Sequence, residues 1–206
     1  MMPVKMGQDQ FYQLRQQCRL EEKIKGSRFI STAKPCATEG ESLAFIEEMR
    51  KEFHDATHNA FAWRVGIGRT SRYRYSDDGE PSGTAGQPML KAIDGRGASN
   101  LCIVVTRYFG GTKLGTGGLM RAYGKLAQDL LRSCDLERKY FTETLTFTTS
   151  FDFVNVVHNI IDSVEAELKD SQYGEQVTFT VEVRSSQMST FRTKLRDGTN
   201  GQVEFK

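Results

Sequence analysis

The stretch "YFGGTKLGTGGL", residues 108–119, sets five glycines and a lysine within twelve positions. Glycines let a backbone turn with positive φ and bring its N–H groups against a ligand, and lysine adds positive charge, so the chemistry to test is anion binding. Two strict patterns fail. Gly110 and Gly115 have P-loop spacing, but Thr116 stands where that motif needs its lysine; Gly115 and Gly117 begin a dinucleotide fingerprint, but Met120 replaces its third glycine. What remains is a strand, a glycine loop and a helix whose N-terminal N–H groups and dipole favour an anion. The candidate RNA- or anion-binding residues are Arg107, Tyr108, Gly110, Gly111, Lys113, Gly115, Thr116, Gly117, Gly118, Arg121 and Lys125. Arg121, Lys125, Gln128 and Arg132 recur at i, i+4, i+7 and i+11 on one helix face, and Tyr108, Phe109 and Tyr123 place rings nearby. Cations that neutralise phosphates beside rings that stack on bases hold single-stranded nucleic acid. The competing reading is that the glycines serve only turns and close packing, and that Tyr123, which also belongs to an apolar stripe, is packed in the core.

A second constellation lies in "SDDGEPSGTAG", where Asp77, Asp78 and Glu80 crowd a loop that His58 or His54 can approach from the start of a strand. Such a cluster suits a hard cation or an acid–base pair. The alternating oxygen ligands of an EF-hand are missing, and carboxylates also favour turns by bonding to their own backbone. No Gly-x-Ser-x-Gly elbow and no His-Glu-x-x-His pair occurs, so no catalytic residue, metal site or cofactor is expected. Cys18, Cys36, Cys102 and Cys134 are far apart in sequence and form no Cys-x-x-Cys, which argues against cysteine chemistry.

The elements that must position these groups follow from periodicity. Residues 16–34 read as a hairpin turning at "KGS". Thr38 and Glu41 form a capping box ahead of a helix carrying Leu43, Phe45, Ile46, Met49 and Phe53. Phe61, Trp63, Val65 and Ile67 alternate as a strand, and "RYRYSDDGEP" is a short strand running into a turn. "MLKAI" belongs to a helix of two to three turns; Thr84 and Gln87 suggest a cap, although Pro88 moves the start toward Gly86. "NLCIVVTRYFGG" contains an apolar run fitting a strand covered on both faces. Leu119, Tyr123, Leu126, Ala127, Leu130 and Leu131 mark the clearest helix, capped by Thr116 or a nearby loop residue.

Beyond "DLERKY", read as a separator, come a strand with Leu145 and Phe147 and a helix with Phe153, Val156, Val157, Ile160 and Ile161. A strand on Val164, Ala166 and Leu168 turns at "DSQYG" into one on Val177, Phe179, Val181 and Val183. A helix on Met188, Phe191 and Leu195 and a last strand through Val203 and Phe205 complete a βαββαβ order.

At 206 residues with 38% hydrophobic and 26% charged residues, the chain can build a substantial core. No run is long and apolar enough to span a membrane, and the N-terminus lacks the apolar stretch of a secretory signal, so a cytoplasmic protein without membrane contact is expected. The net charge of +2 conceals an asymmetry. Residues 1–140 hold 22 Lys and Arg against 16 Asp and Glu, a net of +6, and the remainder nets −4. The first part can attract polyanions and the second cannot, although solvated surface charge explains the same numbers.

Together "KGSRFIS", "HDATHNAFAW", "YSDDGEPSGTAGQPML" and "VVTRYFGGTKLGTGGLMRAYG" resemble the IMPACT family, in particular its bacterial YigZ-type members. The resemblance implies an α+β protein of two domains. Residues 1–138 would form an IMPACT N-terminal domain with the α/β fold of ribosomal protein S5 domain 2. Residues 139–206 would form a ferredoxin-like domain similar to domain V of elongation factor G. It also marks a family-motif cleft of His58, Asp77, Asp78, Glu80 and Thr84. The function it implies is noncatalytic RNA or ribosome binding in the regulation of translation. The alternatives are a small-molecule enzyme, phosphotransferase-like or a peptidase, using Asp78, Glu80 and the glycine loop, and a regulator that binds a protein partner.

Overall fold

The computed structural model describes residues 10–206, which divide into two compact units, Phe11–Lys139 and Tyr140–Lys206. The large unit holds β1 (Gln10–Leu14), β2 (Cys18–Ile24), β3 (Ser27–Pro35), α1 (Glu39–Glu52), β4 (His58–Val65), β5 (Arg72–Ser76), α2 (Gly86–Arg96), β6 (Leu101–Tyr108), α3 (Thr116–Ser133) and β7 (Leu136–Tyr140). Its five-stranded sheet has the order β2-β3-β6-β4-β5, with every neighbouring pair antiparallel.

Strand β6 occupies the centre because its side chains are apolar on both faces. Leu101, Ile103 and Val105 join the core formed with α2 and α3, while Cys102 and Val104 pack with Phe45, Ile46 and Met49 of α1. The result is three layers with one helix on one face and two on the other, so an antiparallel sheet is covered on both sides. The β2–β3 turn has positive φ at both Lys25 and Gly26, the combination of a two-residue type I′ hairpin. At the start of α1, Thr38 Oγ1 accepts the Glu41 N–H at 3.1 Å. The Glu41 carboxylate returns to the Ala37 N–H at 2.8 Å, one residue before the capping threonine.

Two expectations are refined. "DLERKY" contains the boundary between the two units, at Lys139/Tyr140, and its last five residues also form β7, which pairs with β1 in a two-stranded sheet. Neither strand shows strong alternation, because each gains its order from its partner. Cys18 and Cys134, 116 residues apart in sequence, form a disulfide with Cα atoms 5.8 Å apart, joining edge strand β2 to the residue that follows α3. Cys36 and Cys102 are buried thiols, and burial pushes that of Cys36 up to about 11 and that of Cys102 well above its ordinary range.

The small unit runs β8 (Thr142–Thr149), α4 (Val154–Ser163), β9 (Glu167–Tyr173), β10 (Val177–Arg184), α5 (Met188–Gly198) and β11 (Glu204–Phe205), the expected βαββαβ order, with the sheet order β11-β8-β10-β9. Buried and half-buried residues alternate along β10. Val177, Phe179, Val181 and Val183 meet Val157 and Ile161 of α4 and Phe191 and Leu195 of α5. Strand β9 begins at Glu167 rather than Val164, which caps α4, and it continues through most of "DSQYG". An edge strand solvated along one side tolerates those polar residues, and a register shift between Thr180 and Val181 of β10 accommodates them. Among the described residues no helix is long and apolar enough to cross a membrane.

Candidate functional site

The two constellations separated in the sequence meet at one end of the large sheet, and Glu80 joins them. Glu80 is 8% exposed and Arg107 4%. Glu80 Oε1 accepts a hydrogen bond from Arg107 Nη1 at 2.7 Å and another from Tyr123 Oη at 2.8 Å. Arg107 Nη2 donates to Ser27 Oγ at 3.2 Å, and its guanidinium lies 5.4 Å from the ring centres of both Phe29 and Phe109. Its Nε is buried without a partner. His58 approaches from the start of β4, with Nε2 3.9 Å from Glu80 Oε2. Its Nδ1 lies 2.8 Å from the Asp78 carbonyl, which can only accept, so Nδ1 carries a proton and Nε2 faces the carboxylate. The Tyr123 hydroxyl is held far above its ordinary range, first by burial and then by the charge of Glu80.

The neighbouring carboxylates bond to backbone. Asp77 accepts N–H groups from Gly83 at 2.7 Å and from Ala85 and Gly86 at 2.9 Å, and so caps α2 from nine residues away. Asp78, at φ +46°, accepts the Asn59 N–H at 2.7 Å and a hydrogen bond from Arg50 at 3.2 Å. Thr84 does not cap α2; its hydroxyl donates to the Pro81 carbonyl at 2.6 Å. His54 is exposed, and His58 is the histidine that meets the loop. Among the described residues no group of His, Cys, Asp and Glu is placed to hold a metal ion.

The glycine loop has structural duties as well. A Cβ on Gly110 would overlap the backbone of Gly26 and Ser27, so the end of β6 can lie against the β2–β3 turn only as glycine. Gly111 and Gly115 have φ of +85° and +73°. Helix α3 then starts at Thr116 with Gly115 as its cap, without any side-chain cap or acidic residue in its first turn. Thr116 is therefore the first helical residue and not the cap. Gly117 and Gly118 complete that open turn, with Lys113 and Arg121 exposed beside it and no ion partner for either among the described residues.

The expected basic surface is redistributed. Arg107 leaves it, because the strand that presents it is central and Glu80 claims its charge. Tyr123 is 0% exposed and belongs to the core. Lys125 is exposed but paired, with Asp129 at 2.7 Å and Glu22 at 3.1 Å, and Arg132 also meets Asp129, at 3.2 Å. Tyr108 donates to Asp55 at 2.7 Å under the guanidinium of Arg28. Two residues absent from the candidates join the face instead. Lys91 and Arg96 of α2 line a groove with Gln128 and Arg132 of α3. Only the packing of α2 on α3 brings them there; the i, i+4, i+7, i+11 pattern marked the α3 half alone.

With this geometry in view, the relatives are informative. The Impact N-terminal domain model matches residues 25–131, and a domain of unknown function, DUF1949, matches residues 149–202. The chain is 36% identical over 183 residues to the IMPACT family member YvyE of Bacillus subtilis, covering 89% of this chain and 84% of that protein. It is 34% identical over 185 residues to the IMPACT family member YigZ of Escherichia coli, covering 89% and 91%. A crystal structure titled only as a hypothetical protein superposes with a TM-score of 0.64 at 31% identity over 96% of both chains. The chain is a mixed α/β protein with a region for each of the two domains, and it belongs to the IMPACT family, as a YigZ-type member.

Proposed function

We propose that this protein is a cytoplasmic, noncatalytic RNA- or ribosome-binding regulator of translation. In this reading the large unit has the fold of ribosomal protein S5 domain 2, and the small unit is ferredoxin-like, as in domain V of elongation factor G. The observation that carries it is the outer face of α2 and α3. There Lys91, Arg96 and Arg132 line a groove beside the second half of α3, and Lys125 and Arg121 continue that helix face toward Lys113 and the first turn, which has no side-chain cap; Asp129 and Glu22 oppose them. Phosphates held on such a face release counterions, which makes affinity fall with salt. Anisotropy of labelled RNA measured across a salt series tests it. Lys91→Ala with Arg121→Ala lowers affinity for every RNA sequence alike and flattens the log–log salt slope by about 0.7 for each lost contact to a single strand. Unchanged affinity and slope refute this face.

The geometry at Glu80 favours a second reading, a small-molecule enzyme. His58 is oriented by the Asp78 carbonyl and directs Nε2 at a carboxylate fixed by Arg107 and Tyr123, an arrangement suited to moving a proton. Calorimetric titration with a nucleotide and Mg²⁺ separates the two readings, since the phosphotransferase version requires heat at millimolar ligand and the RNA-binding one does not.

A further inference from the structure

Strand β5 is the open edge of the five-stranded sheet, and its residues "RYRYS" leave two large aromatic rings in solvent: Tyr73 is 51% exposed and Tyr75 41%. The register on β4 sets Tyr73 opposite Arg64 and Tyr75 opposite Ala62, while Arg72 and Arg74 stand opposite Val65 and Trp63. Successive side chains of a strand point to opposite faces, so the two rings share one face and the two guanidinium groups the other. The core is complete without either ring. Burial therefore does not account for them.

The ring of Tyr73 is held in place. The Arg64 guanidinium lies 5.4 Å from its centre and is itself anchored by Asp94, at 2.9 Å from Nε and 2.7 Å from Nη2, and by Ser71 at 2.8 Å. Arg74 has no ion partner among the described residues, and Arg72 meets only Glu39, at 3.4 Å. Same-face positions two residues apart on a strand are about 6.7 Å apart along the backbone. That is twice the interval of about 3.4 Å between stacked bases, which leaves the thickness of one base between them.

We propose that the β5 edge is a stacking platform for single-stranded RNA, with Tyr73 and Tyr75 holding bases and Arg72 and Arg74 drawing the phosphate chain to the edge. The inference shares the partner class of the proposed function but uses a separate surface. Stacking needs unpaired bases, so this surface distinguishes single strands from duplexes, which the cations of α2 and α3 do not. Strand addition by a peptide is the other use of an open edge, and flanking charges such as Arg72 and Arg74 oppose it.

The test measures anisotropy of a labelled oligouridylate and of a duplex RNA of equal length against the full chain. Tyr73→Ala with Tyr75→Ala lowers oligouridylate affinity about tenfold or more and leaves duplex affinity unchanged, whereas the double Phe variant, which keeps both rings, binds as the parent does. Thermal unfolding of both variants checks that these exposed positions leave the fold intact. Parental affinity of the double Ala variant for the oligouridylate overturns the proposal, as does binding of an acidic extended peptide with none of the oligouridylate. Single-strand binding that survives Lys91→Ala with Arg121→Ala but is lost with the tyrosines removes the α2–α3 face and keeps the platform. Binding of duplex alone by the parent does the reverse.

Discussion

In the small unit Phe147 stacks on Phe179 and meets Phe191 edge-on, and the polar residues buried as a whole among the described residues there are three threonines, Thr148, Thr149 and Thr199, with no charged residue. In the large unit Phe29 also meets a ring edge-on, that of Tyr123, but there the rings border a buried carboxylate and a buried guanidinium. Both interiors are sheet packed on helices, so the architecture does not require the charges. Removing two ions from water costs several kcal/mol each before their attraction returns any of it, and well-packed apolar residues often do as well. What Glu80 and Arg107 add is connection. Through them the β2–β3 turn at Ser27, the loop before α2, the end of β6 and the first half of α3 are bonded to one another. The large unit holds this end of its sheet together by specific polar bonds, whereas the small unit relies on apolar packing.

Breaking the covalent staple gives the largest expected change. All four cysteines lie in the large unit, and the Cys18–Cys134 bridge closes a loop of 116 residues. Loop-closure entropy assigns such a bridge about 5 kcal/mol. Urea unfolding with and without reductant then shows the large unit losing stability and the small one none. A reducing cytosol would hold the protein in the weaker state, so this measurement also bears on where it works.

The next effect tests the polar joint itself. Glu80→Ala leaves Arg107 buried without its counter-charge and costs the large unit about 3–5 kcal/mol. Phe147→Ala costs the small unit about as much, by cavity formation. The two differ in what repairs them. Combining Glu80→Leu with Arg107→Met recovers most of the large unit's stability in urea unfolding, because the uncompensated charge is gone, and yet it lowers the order of the loop before α2, seen as faster amide exchange at Gly83 and Ala85. No second substitution at a distance restores Phe147→Ala.

How far the sequence disclosed these regions follows from the range of the interactions. The leucine stripe of α3, the Thr38–Glu41 cap and the alternation on β10 are local patterns, and each produced the element expected of it. The end of the sheet is nonlocal. Asp77 caps a helix nine residues on, Glu80 reaches Arg107 and Tyr123 from another segment, and Cys18 finds Cys134 only when β2 lies beside α3. Arg107 looked like a surface cation because it follows an apolar strand at a loop. Nothing in its own neighbourhood shows that Glu80 waits for it. Conversely, Tyr73 and Tyr75 read as ordinary strand residues, and only their position on an unpaired edge exposes them.

The smallest effect isolates one bond of the same chemical type on the outside of that joint. Tyr108 donates to Asp55 at 2.7 Å much as Tyr123 donates to Glu80, but both Tyr108 and Asp55 face solvent. The bond lowers Asp55 from its ordinary 3.8 and raises Tyr108 above 10.0, in each case as the leading cause. A depressed carboxylate contributes stability that is present above its unfolded value and fades as pH falls through the folded one. A raised phenol contributes stability that is present below its unfolded value and fades as pH rises through the folded one. The stability difference between the parent and Tyr108→Phe is therefore a plateau from about pH 4 to pH 10 that closes at both ends. Unfolding curves across that range measure it. Tyr123→Phe gives a different curve at the alkaline end. Burial is the leading cause of the Tyr123 shift, so its contribution persists where that of Tyr108 has begun to fade, until the large unit itself unfolds.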